Sequence, residues 1–196
     1  MGNGKNPFKV NMLTNGDIST RQNFMNNYWE KFYKKNKKMK PSTFAYFAIP
    51  FIDGTVLDVG CGNGRDVNFL SEHCVAIGID PSFSSGSVRK WKIENYMATF
   101  PPPDVVYTRF FWHSITRGLQ LKILKWVKAT IMIEARTTED KKRNHIYTHK
   151  RNYVNVPQLV QDLKDNGFQI IRLEEGEFSP FKNENPHLVR VIEKKT

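Results

Sequence analysis

Short apolar runs alternate with polar, glycine-containing or helical stretches along most of this chain. Thr55-Val56-Leu57-Asp58-Val59 is a β-branched and apolar run, followed by glycine at every second position, Gly60, Gly62 and Gly64. A run of that length bounded by glycine predicts a strand entering a turn. Arg65 to Glu72 then carries Val67, Phe69 and Leu70 without a breaker, which predicts a helix. Cys74 to Ile79 predicts a second strand, closed by Asp80. Pro81 to Gly86 reads as a loop, and a short third strand is expected near Arg89 to Glu94. Pro101, Pro102 and Pro103 end that segment, because proline has no N–H to donate and cannot continue a helix. Asp104 to Tyr107 predicts a fourth strand, Gly118 to Val127 a helix, and Ala129 to Ile133 a fifth strand ending at Glu134, Ala135 and Arg136. Residues 137–153 form a basic, polar loop. Pro157 to Asn166 is an amphipathic helix with Leu159, Val160 and Leu163 inward and Gly167 as its stop. Phe168 to Leu173 and Leu188 to Ile192 are the last two strands, joined by a long turn with Pro180 and Pro186.

Before the glycine turn, Phe24, Tyr28, Trp29, Phe32 and Tyr33 recur at helical spacing between Asn23 and Lys38. This aromatic stripe suits either core packing or a lid over a pocket. Ser42 is placed to cap a helix from Thr43 to Ile52. Residues 1–21 lack apolar periodicity and read as a loose tail, with residues 22–196 as one domain.

The strand, glycine turn and helix come in the order that builds half of a doubly wound α/β fold. Glycine tolerates positive φ and lets main-chain N–H groups approach a ligand. Asp80, closing the next strand, can accept two hydrogen bonds from a ribose diol. A nicotinamide enzyme shares this plan, but the third glycine of its Gly-x-Gly-x-x-Gly turn would fall on Arg65, which would crowd a pyrophosphate. The acid at Asp58, the glycine turn and Asp80 together resemble the class I S-adenosylmethionine-dependent methyltransferases. That resemblance implies a Rossmann-like α/β fold, with a seven-stranded, mostly parallel sheet, a C-terminal antiparallel strand and helices on both faces. It implies S-adenosylmethionine as cofactor and S-adenosylhomocysteine as product. Asp58, Gly60, Cys61, Gly62, Asn63, Gly64, Arg65, Asp80 and Pro81 would line the cofactor site. Glu94 or Asn95 would hold the adenine amino group, and Arg109 would join the cofactor site; an ion pair with Glu134 or a substrate contact are the other roles open to Arg109.

A narrower resemblance rests on the Tyr107–Ile115, Ile133–Asp140 and His149–Tyr153 pieces. These look like small methyltransferases associated with surface-polysaccharide and glycan synthesis in bacteria and large DNA viruses, over residues 28–194. The acceptor implied is a hydroxyl of a glycan or nucleotide-linked sugar. A hydroxyl is protonated at neutral pH, so a general base is expected, His113 first, with Asp140 and Glu134 as alternatives. A structural, hydrogen-bonded histidine is the competing role for His113. Arg136, His149, Arg151 and Tyr153 would surround the acceptor, the arginines clamping phosphate or hydroxyls. His145 and His149 stand four apart near Asp140, a suggestive but incomplete set for a divalent metal, so no metal ligand is assigned. A non-catalytic protein that keeps the cofactor fold is the alternative from another class.

Composition narrows the setting. With 196 residues, 39% of them hydrophobic, the chain suits one domain with a sizeable core. No apolar run approaches the ~20 residues of a membrane-spanning helix. The first 25 residues are polar and Asn-rich, so secretion and organelle import are not expected. Only Cys61 and Cys74 are present, which points to a reducing compartment, the cytoplasm, or a host's cytoplasm for a viral chain. The net charge of +11 raises an acidic partner, including an RNA or cap acceptor. However, the basic residues sit in runs, such as Lys34 to Lys40 and Lys141 to Arg151, that more often form solvated faces, so nucleic acid is the lesser expectation.

Overall fold

The computed structural model describes residues 30–31, 39–142, 151–180 and 184–196. Its seven strands are β1 (Val56–Val59), β2 (Ala76–Ile79), β3 (Val88–Arg89), β4 (Val105–Arg109), β5 (Thr130–Arg136), β6 (Phe168–Gly176) and β7 (Leu188–Lys195). They lie in the order β3-β2-β1-β4-β5-β7-β6. The first five are parallel, and β7 runs antiparallel between β5 and β6. The chain winds outward from β1 through β2 to β3, then returns to β4 on the other side of β1. That reversal opens a crevice at the carboxyl ends of β1 and β4, where open α/β sheets bind ligands.

Helices cover both faces because the strands alternate which side chains they send to each. On one face Leu57, Val59, Ile131, Ile133, Val189 and Val191 pack with α4 (Arg117–Trp126) and α5 (Val156–Asp165). On the other, Val56, Val105, Tyr107 and Met132 pack with α1 (Thr43–Ala48) and α2 (Arg65–Leu70). Ser42 caps α1 as expected, its Oγ accepting from Ala45 N at 3.0 Å. The helix stops earlier than its apolar pattern predicts: Pro50 cannot supply an N–H, and Ile49–Phe51 tightens into a 3₁₀ turn.

The third strand departs from expectation. It is only Val88–Arg89, and the residues read as its continuation instead enter α3 (Ile93–Thr99). Ile93, Tyr96 and Met97, at helical spacing, turn toward the sheet, and Phe100 ends the helix before the prolines. Glu94 and Asn95 are thus exposed on the first turn of a helix and not at a strand's end. Within the stretch read as loop, Thr138–Lys142 forms a 3₁₀ turn and Thr137 bridges to Val154. The aromatic stripe and its lid reading lie outside the described residues, apart from Glu30 and Lys31.

Candidate active site

The glycine turn is held by main-chain bonds. Gly60 N and Cys61 N donate to Ile79 O at 2.9 and 3.2 Å, and Gly64 N donates to Cys61 O at 3.1 Å. Gly60, Gly62 and Gly64 have φ of 75°, 58° and 77°, the left-handed region where a side chain is strained. Space forbids one as well: a Cβ on Gly60 would stand 2.6 Å from the Phe111 ring. Asp80 fastens this turn to the end of β2. One of its carboxylate oxygens accepts from Gly62 N at 3.0 Å, and the other from Ser82 N at 2.8 Å and Ser82 Oγ at 2.5 Å.

Asp58 is different. It sits at the carboxyl end of β1, 2% exposed, opposite Gly78 and Tyr107 in the ladder. No donor among the described residues reaches its carboxylate. Burial, and then the nearby Asp66, push its pKa well above the usual carboxylate range, with Arg109 pulling the other way. Desolvation lowers Arg65 from the usual guanidinium value, and Arg109 adds to that. Desolvation, and then the neighbouring Asp58 and Asp80, push the half-buried Cys61 thiol up.

Beyond β4 the main chain turns sharply. Phe110 takes a φ of 56°, the one positive value for a non-glycine among the described residues, a strain that turns concentrate near working sites. Arg109 lies over its ring at 4.2 Å and meets Glu134 through Nε at 2.9 Å. Glu134 is fully buried and also accepts from Arg190 Nε at 2.8 Å. Sequence reading missed Arg190, although a charge inside the apolar run Leu188–Ile192 was its signal. Asp66, also missed, accepts from Ser42 N and Oγ at 2.7 Å each and from Tyr107 O–H at 3.0 Å.

The expected base and its alternatives are brought together, but in pairs. His113, buried on the 3₁₀ turn Trp112–Ser114, accepts from Arg136 N at its Nδ1, 3.1 Å away. That bond leaves Nε2 as the ring nitrogen that carries the proton. Arg136 meets Asp140 at 2.8 Å and Glu184 at 2.6 Å, while the other Asp140 oxygen accepts from His187 N at 2.9 Å. Glu134 and Asp140 are thereby ion-pair anchors, and Arg136 is spent on two carboxylates. Arg151 and Tyr153 are half-buried on the segment whose Asn152 N donates to His113 O at 2.7 Å. His145 and His149 lie outside the described residues, among which no group of three or more His, Cys, Asp or Glu could hold a metal ion.

Two cavities open near this edge. One, of about 770 Å³, is lined by Pro81, Trp91 and Asn95 with Lys90 and Lys92, and Glu94 is not part of its wall. The other, of about 320 Å³, lies between the starts of α4 and α5 over Trp112. No helix among the described residues is long and apolar enough to cross a membrane.

Solved structures with this arrangement share a class. A S-adenosylmethionine-dependent methyltransferase from Archaeoglobus fulgidus aligns over 91% of this chain and all of its own, at 16% identity and a TM-score of 0.61. The fold is that of the class I methyltransferases. A Burkholderia thailandensis 1,6-didemethyltoxoflavin N1-methyltransferase, solved with its substrate and S-adenosylhomocysteine, aligns over 95% of this chain and 93% of its own, at 13% identity and a TM-score of 0.65. Magnesium protoporphyrin IX methyltransferase from Synechocystis, with bound S-adenosylhomocysteine, covers 94% of this chain and 90% of its own at 11% identity and a TM-score of 0.55. No protein-family model and no curated protein sequence matches the chain.

Proposed function

We propose that the chain transfers a methyl group from S-adenosylmethionine to a hydroxyl of a glycan or nucleotide-linked sugar. The observation that carries the first half is Asp58: a buried carboxylate without a donor among the described residues, at the end of β1 beside the glycine turn. Such a group is costly unless a ligand completes it, and an ammonium is the partner that restores its charge. When bound, the cofactor supplies an electrophilic methyl on a sulfonium. Asp58 would meet the amino-acid ammonium, and the main chain of Gly60 to Gly64 would run along the ligand. Asp80 already holds the turn, yet each oxygen keeps lone-pair capacity for a ribose hydroxyl. Pro81, Trp91 and Asn95 offer an apolar wall and an amide to the adenine, and Arg109 stays at the edge through Glu134.

The hydroxyl acceptor is supported by the narrower motif resemblance in the second half. There His113 is read as a positioning residue: its ring ties the end of β5 to the turn after β4, and its carbonyl holds Asn152. Calorimetric titration with S-adenosylhomocysteine tests the reading. Gly62→Val puts a branched side chain at a left-handed φ, and Asp80→Ala removes the anchor of the turn and the ribose acceptor. Each is expected to weaken binding roughly tenfold or more, the share of a charge-assisted hydrogen bond. Unchanged affinity in both folded variants would remove the cofactor assignment.

A further inference from the structure

The cleft between α4 and α5 has a chemistry of its own. It lies at the carboxyl edge of the sheet, floored by Trp112, three residues past the end of β4, and walled by the 152–155 segment with Tyr153. Its volume, about 320 Å³, is that of a small-ligand pocket and not of a polymer groove.

Its charge is balanced, in a chain of net +11. Arg117 and Asp162 are the charged residues of the lining, and they face each other in two parallel bonds of 2.7 and 2.6 Å. Asp162, its side chain 9% exposed, also accepts from Gln158 Nε2 at 3.0 Å. A phosphate entering here would meet that carboxylate, and could recruit Arg117 only by leaving a buried Asp162 without its partner. The helix starts offer an anion little, since Leu119 N and Gln158 N are already taken by the caps Thr116 and Asn155.

The remaining polar groups suit hydroxyls. Gln120 gives one N–H to Trp112 O at 2.8 Å, and Asn152 gives one to Ile115 O at 2.9 Å. Each amide keeps its second N–H and its carbonyl oxygen, a donor and acceptor together that match a hydroxyl, while the carbonyl repels a phosphate oxygen. Tyr153, half-buried in the wall, offers aromatic surface that suits the apolar face of a sugar ring, while Trp112 is buried beneath the floor.

We propose that this cleft seats the acceptor and takes an uncharged, polyhydroxylated ring, a neutral sugar residue, in place of a phosphate-bearing group. The inference rests on the methyl-transfer reading above, and it moves acceptor recognition away from Arg136, whose guanidinium is committed to Asp140 and Glu184.

The test is ligand-observed saturation-transfer NMR on the full chain loaded with S-adenosylhomocysteine. The probes are methyl glucoside, methyl galactoside, methyl mannoside and, as the anionic control, uridine monophosphate. At least one glycoside should receive saturation at its ring protons, undisturbed by the nucleotide. Gln120→Glu and Asn152→Asp, which each place a negative charge in the cleft and remove an NH₂, should abolish that signal while keeping the parent's thermal shift with S-adenosylhomocysteine. No glycoside signal in the loaded parent, displacement by the nucleotide, or full signal in both variants would overturn the proposal. A parent that binds no S-adenosylhomocysteine overturns the methyl-transfer reading itself, and this one with it.

Discussion

Asp58 makes its own case through protons. Its pKa is raised, chiefly by burial, and an ammonium beside it would favour the ionised form. The bound state then holds fewer protons than the free one, so affinity for S-adenosylhomocysteine should be full above the raised value and fall as the pH drops through it. Asp58→Asn should bind more weakly and lose this dependence. Titrations at several pH values check it, and a parent whose affinity is flat across the acid range would remove Asp58 from the site. His113 invites a different substitution. If its ring serves to accept the Arg136 N–H, His113→Gln can supply an oxygen there, and turnover with the true acceptor should stay within about tenfold of the parent. A base in the reaction would cost roughly 10²–10⁴-fold, so a loss of that size, with S-adenosylhomocysteine affinity intact, would restore the base role. The sequence exposes Asp58 and the glycines because they are local: an acid, a strand and a turn within ten residues. The partners of Glu134, Asp140 and Arg136 arrive from Arg190, His187 and Glu184, some fifty positions away, and no spacing rule reveals them.

Individual elements carry two further expectations. β7 buries Glu193 completely, and neither of its carboxylate oxygens has a hydrogen-bond partner. Burial pushes its pKa well above the usual value, so the folded chain holds the proton more tightly than the unfolded chain does. That contribution is full below the unfolded value near ~4.3 and is lost as the pH rises through the folded one. Glu193→Gln should therefore unfold several degrees higher than the parent at pH 8, roughly the shift of one to two kcal/mol in a domain this size, with the gap closing toward pH 4. Thermal melts at both pH values would show it, and equal melting at pH 8 would contradict it. The start of α1 hangs on Asp66, which joins Ser42 to Tyr107 across the sheet. Asp66→Ala leaves buried donors unmet and should cost about 2–4 kcal/mol in denaturant unfolding; a change below about 0.5 kcal/mol, the scale of an ordinary surface substitution, would show the tie to be idle. Most elements were legible because their apolar periods are clean. α3 was not, because Arg89-Lys90-Trp91-Lys92-Ile93 alternates like a strand for just long enough to hide the helix that its next residues prefer.

At the scale of the molecule, charge and topology act separately. The excess of eleven positive charges should give weak, sequence-independent attraction to RNA that fades steeply with salt as counterions are retained. Filter binding at physiological salt is the measurement, and submicromolar, sequence-selective affinity would favour an RNA acceptor over a sugar. Topology bears on how the chain comes to be folded at all. β7 is the last of the described strands in chain order, yet it lies between β5 and β6. Until it arrives, β5, which carries Glu134 and Arg136, exposes a bare edge, and β6 has no neighbour to pair with. A chain emerging from the ribosome would therefore hold its carboxyl-side half open until translation has passed Lys195, with the apolar residues of β5 unprotected for that interval. The molecule's dependence on chaperones, and its susceptibility to proteases during synthesis, should be set by that final strand and not by the glycine turn that is made first.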